Sequence, residues 1–145
     1  HQMTRPRRND LHELDGYRCA LELYMAITRM VDRFPRGEAD LRSQMRRAAR
    51  SVPFNIGEGV GKRGKARAAA YEVALGEIKE LIVALDCVEI DGLVPLEDIV
   101  LAQDLADRSA AMLTKLIRSA CCDPVERTAG ELAASPAFTA VDRRP

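Results

Sequence analysis

Apolar residues recur three and four positions apart along four stretches of the chain, a period that predicts helices rather than strands. The first stretch, from about Leu14 to Phe34, aligns Tyr17, Ala20, Leu21, Tyr24, Ile27, Val31 and Phe34 on one face. Asp10 or Asp15 can cap its start, and Pro35 disfavours helical geometry at the residue before it. The second, from about Ala39 or Asp40 to Glu58, aligns Leu41, Met45, Ala48, Val52 and Ile56. Pro53 lies inside it; proline lacks an amide donor and clashes with the carbonyl four residues back, so a kink is expected near Ala49–Pro53. Gly57, Gly59, Gly61 and Gly64 then predict the helix end and a flexible basic turn. The third stretch, from about Lys65 to Ile90, sets Tyr71, Ala74, Leu75, Ile78, Leu81, Ile82, Leu85 and Val88 close to a heptad, and Asp91-Gly92 closes it. The fourth, from about Pro95 or Leu96 to Ala120, carries Leu101, Leu105, Met112, Leu113, Leu116 and Ile117. Short connections between long amphipathic helices predict an all-α, antiparallel up-down-up-down four-helix bundle over residues 14–120, with helix two kinked at its proline. Residues 1–13 read as a disordered basic N-terminus and residues 121–145 as a mostly disordered tail.

A second pattern overlies the first. Beside the apolar stripe of helix two, Gln44, Arg47, Ser51, Asn55 and Glu58 form a polar stripe at helical spacing. Polar groups at a core boundary need partners. The stripe therefore serves either interhelical hydrogen bonds that fix the bundle or a ligand or partner site. Arg46 and Arg50 point away from the core.

Charge sharpens this picture. The formal net charge is zero, yet Gln44–Arg67 holds seven Lys/Arg against one acid, whereas residues 68–107 hold ten acids against one base. Segregation of this kind suggests an anionic partner, self-association, or both. Arg46, Arg50, Lys62, Arg63, Lys65 and Arg67 are the candidate nucleic-acid contacts. Glu72, Glu80, Glu89, Asp98 and Asp104 make the outer faces of helices three and four acidic, either as a solvated surface or as a dock for the basic helix of another subunit.

Composition removes other classes. In 145 residues, 47% are hydrophobic and 4% aromatic, with no Trp. No apolar run approaches the ~20 residues of a membrane span. The start, HQMTRPRRND, has no apolar core of a secretory signal; His1 and Gln2 before Met3 read as an expression remnant, and a cytoplasmic location is expected. Cys19 and Cys87 read as buried helical side chains and Cys121-Cys122 as a reduced pair, none spaced for zinc. No catalytic set, metal site, cofactor or small-molecule substrate is expected. His12 is the sole candidate histidine for a triad, and GVGKRG (Gly59–Gly64), which matches G-x-G-x-x-G, follows a helix instead of a strand.

The run DLRSQMRRAARSVPFNIGEG, with YEVALGEIKELIVAL and MLTKLIRSA later, resembles the 23S rRNA intervening-sequence proteins. Gln44, Arg47, Ala48, Ser51, Asn55, Ile56, Glu58 and Gly59 match one family motif, Gly76, Glu80 and Leu81 a second, and Met112, Leu113, Leu116 and Ile117 a third. Gly57 and Glu77 depart from the usual Ala and Ser. The resemblance implies a bacterial four-helix bundle that assembles into homopentamers. The chain is also similar to the accessory variability determinants of diversity-generating retroelements, which implies a partner consisting of RNA or a reverse transcriptase–RNA complex.

Two functional classes follow. One is a non-enzymatic homo-oligomeric scaffold that binds nucleic acid, RNA above all, or an associated reverse transcriptase through the basic patch. The other is a structural protein–protein module without nucleic acid. Zero net charge and few aromatics favour the second; basic residues repeated around a ring favour the first.

Overall fold

The computed structural model describes residues 9–122, which form a bundle of four α-helices: α1 (Asp15–Val31), α2 (Ala39–Val60), α3 (Gly64–Asp91) and α4 (Leu96–Cys121). A 3-10 turn, Asp10–Glu13, precedes α1; Asn9 caps it through Oδ1 to the Leu11 amide at 3.1 Å. The disorder expected up to residue 13 therefore does not extend over Asn9–Glu13, while residues 1–8 and 123–145 lie outside the described residues. Neither Asp10 nor Asp15 caps α1: Leu14 holds the N-cap position without a side-chain bond, and Asp15 pairs with Arg18.

Each helix packs on two neighbours, α1 on α2 and α4, α3 on α2 and α4. Directions follow from residue pairs. Gln44 and Gly59 of α2 meet Glu80 and Tyr71 of α3, and Arg46 and Arg50 of α2 meet Asp32 and Tyr24 at and within α1. Gly16 at the start of α1 lies beside Leu116, late in α4, while Arg33 just past α1 pairs with Asp98, early in α4. In each pair the chains run in opposite directions.

The core is aliphatic. Leu23, Ile27, Met45, Val52, Ile56, Ile78, Leu81, Leu85, Ile99 and Leu113 are essentially inaccessible, and Ala20, Ala49, Ala74, Ala102 and Ala106 let the helices approach. Two expected faces turn slightly. On α1 the core takes Cys19, Leu23 and Met30, leaving Tyr17, Leu21 and Tyr24 half-buried at the α2 rim. On α4 it takes Ile99, Ala102 and Ala106, and Leu101 is 56% exposed. Alanines pack closely but carry little hydrophobic signal, so a reading weighted towards large side chains tilts the face.

α2 continues through Pro53, which is buried, and also through Gly57 and Gly59. The helix does not end at its first glycines because Gly59 is a packing position. A Cβ there would lie 2.6 Å from the Tyr71 ring. The turn reduces to Gly61, Lys62 and Arg63. α3 ends as its Asp91-Gly92 sequence suggests, with Gly92 left-handed at φ +63° and the Leu93 amide returning to the Val88 carbonyl at 3.2 Å. Cys19 is buried against Ser109, whereas Cys87 is exposed rather than buried, as are Cys121 and Cys122. Among the described residues no helix is long and apolar enough to cross a membrane.

Candidate nucleic-acid interface

The polar stripe of α2 lies along α3. Gln44 Nε2 donates to Glu80 Oε1 at 3.0 Å. Half-buried Asn55 donates to the Ser51 carbonyl at 2.8 Å and to Ser51 Oγ at 2.9 Å. Between these pairs stands Glu77, which sequence reasoning set aside as a departure from a motif. Burial raises its pKa, and the neighbouring Glu80 carboxyl raises it further, against the opposing pull of Arg47 and Ser51. The signal was present in Gly76-Glu77-Ile78-Lys79-Glu80, two acids one turn apart facing the stripe. Gln44, Arg47, Ser51, Asn55, Glu77 and Glu80 thus form one cluster, and Glu58 leaves it to pair with Lys62 at 2.6 Å. Arg47 and Glu58 are exposed, so they are not the buried charged pair that a core-boundary stripe suggests.

The six expected cations do not share a face. Arg46 pairs with Asp32 just past α1, and its Nε is buried without a partner. Arg50 Nε donates to the Tyr24 hydroxyl at 3.1 Å with its guanidinium carbon 5.8 Å from the ring centroid; that hydrogen bond, assisted by the charge, pulls the phenol below its usual pKa. Lys62 lies twelve residues beyond Arg50, about 18 Å along a helix axis.

Arg67 serves the fold. Its Nε donates to the carbonyls of Lys62 at 2.8 Å and Gly59 at 3.1 Å, and Nη2 to that of Val60 at 3.0 Å. Gly59 and Val60 are among the last carbonyls of α2, at the negative pole of its dipole, and Lys62 lies in the turn beyond it. Arg42, which sequence reasoning missed, does the same for α1, donating to Val31 at 2.9 Å and Phe34 at 3.1 Å.

Lys62, Arg63 and Lys65 remain together and exposed at the α2–α3 turn. Arg63 is the N-cap residue of α3 and makes no side-chain cap bond. The positive end of α3 thus has no side-chain cap from Arg63 and lies beside three exposed cations. The GVGKRG string spans a helix end, a turn and a helix start, without the strand a dinucleotide-binding turn requires. Among the described residues no three His, Cys, Asp or Glu side chains are grouped to hold a metal ion.

Gly57 borders the 3-10 turn before α1, where a Cβ would meet Leu11 at an ordinary 3.8 Å, so space does not exclude the alanine usual there. No curated protein matches the chain. The family described as 23S rRNA-intervening sequence protein matches residues 12–115, a span that includes the α2 stripe, its α3 partners and the basic turn. With most of its length matched and a four-helix bundle to carry the motif, the chain belongs to the 23S rRNA-intervening sequence protein family.

Proposed function

We propose that this protein is a non-enzymatic, self-assembling scaffold that binds RNA through phosphate contacts at the α2–α3 turn. The observation that carries the reading is the uncapped start of α3 set among exposed Lys62, Arg63 and Lys65. Cations beside a helix N-terminus suit a phosphate and read no base. The family's name, with its reference to 23S rRNA, supports RNA as the anion. Self-assembly, as the pentamer implied by the family motifs, is supported by exposed Val73, Val83 and Ile90 on α3 and Leu96, Val100 and Leu101 on α4.

The test is a titration of labelled structured RNA at several salt concentrations, with wild type and a Lys62→Ala/Arg63→Ala/Lys65→Ala variant. Arg67 is spared because it holds the end of α2. Binding that weakens steeply with salt, with a shallower slope in the variant, is the expected result. Equal binding by both proteins rules out the turn. A second reading, a protein–protein module without RNA, is favoured by the engagement of Arg46, Arg50 and Arg67 inside the bundle. It takes precedence if wild type binds no RNA at ~50 mM salt while light scattering finds a multiple of 16.0 kDa.

A further inference from the structure

The chain has three Tyr and three Phe. Tyr71 and Phe34 are buried in the core, and Phe138 lies outside the described residues. The other three, Tyr17, Tyr24 and Phe54, line one groove between α1 and α2, with Leu21, Pro53 and Arg50. The groove measures about 300 Å3, and among the described residues no acid lines it. Phe54 is 72% exposed, among the largest apolar exposures in the molecule. Gly57 adds no side chain to the wall, and His12 stands edge-on to Tyr17 with ring centroids 5.6 Å apart.

Polar groups stand at one end. Arg50 bonds Tyr24 within the groove, and one helical turn further along lie Arg46 on α2 and Thr28 on α1. Arg46 is ion-paired there with Asp32, and Thr28 lies beside the Tyr24 hydroxyl. An exposed ring with half-buried rings and a guanidinium beside it suits a single-stranded base and its phosphate: stacking is indifferent to base identity, and Arg neutralises the backbone.

We propose that the α1–α2 groove is a stacking site for an unpaired nucleotide of RNA, with Tyr17 and Phe54 holding the base and Arg50 the adjacent phosphate. This rests on the RNA reading above and adds a preference: single strands or loops over duplex. A duplex buries its base faces and reaches the turn cations alone.

The experiment compares wild type, Phe54→Ala, Tyr17→Leu and the triple turn variant on three labelled probes: a single-stranded 12-mer RNA, an abasic 12-mer with the same backbone, and a duplex of equal length. Tyr17→Leu keeps the apolar packing, and exposed Phe54 is replaceable without loss of the fold, which circular dichroism checks. Loss of one stacked base lowers affinity by roughly 5- to 100-fold. That loss is expected for both groove variants on the single strand, with little change on the abasic strand or duplex and an unchanged salt slope. The proposal is overturned by equal losses on all probes, by unchanged single-strand affinity, or by an altered oligomeric mass in Phe54→Ala, which would make the groove a contact between subunits. Weakened binding in the turn variant with unchanged binding in the groove variants sinks the groove alone; no binding of any probe by wild type sinks the RNA reading with it.

Discussion

Helix α2 has two flanks of opposite character. Towards α3 it is closed: Gly59 lies under the Tyr71 ring, and Gln44, Ser51 and Asn55 spend their hydrogen bonds within the bundle around Glu77 and Glu80. Towards α1 it is open: Arg50, two tyrosines and Phe54 border a groove. Arg46 and Arg47 are adjacent in sequence but about 100° apart around the helix, and that rotation sends one to each flank. A run of basic residues is therefore not a basic face.

Two glycines two residues apart give the sharpest test of this contrast. Gly59→Ala forces a methyl against the Tyr71 ring and should destabilise the fold by about 1–3 kcal/mol. Gly57→Ala, facing the open flank at ordinary contact distance, should be neutral or stabilise by up to about 1 kcal/mol from helix propensity. Thermal melts of both decide it; equal shifts would erase the difference between the flanks.

Next in size is Arg67→Ala. Three charge-assisted bonds to the end of α2 disappear, and since the side chain is partly exposed the expected loss is about 1–2 kcal/mol by urea unfolding. Lys62→Ala, which removes an ion pair with the exposed Glu58, should change stability by less than about 0.5 kcal/mol.

The closed flank also predicts a pH dependence. Glu77 keeps its proton to higher pH in the folded protein than in the unfolded chain. Folding therefore takes up a proton in the window above the usual glutamate value of 4.5, and Glu77 lowers stability as pH rises through that window. Glu77→Gln should raise the melting temperature at pH 7, and the difference should vanish as pH falls below 4.5. A gap of equal size at both ends would assign the effect to packing instead of charge.

The smallest effect belongs to the open flank. Arg50→Ala removes a surface hydrogen bond and should barely change stability, yet it should let the Tyr24 phenol titrate at higher pH. An ultraviolet pH titration reads this directly, and an unchanged Tyr24 would mean that Arg50 does not hold the ring.

The helices, their order and most of their ends follow from sequence alone, because a period of three and four residues, Pro95 and Gly92 act locally. The family motif is equally local, a single helical stripe. Tertiary structure decided what lies across from each residue. Whether Gly59 ends a helix or receives Tyr71, whether Arg67 binds a phosphate or a carbonyl, and whether Tyr17 and Tyr24 fill the core or rim a groove depend on the rotation of α1 and α3 about their own axes. Close-packed alanines such as Ala20, Ala102 and Ala106 set that rotation. The fit of facing side chains fixes it, and no single helix carries that fit in its own pattern.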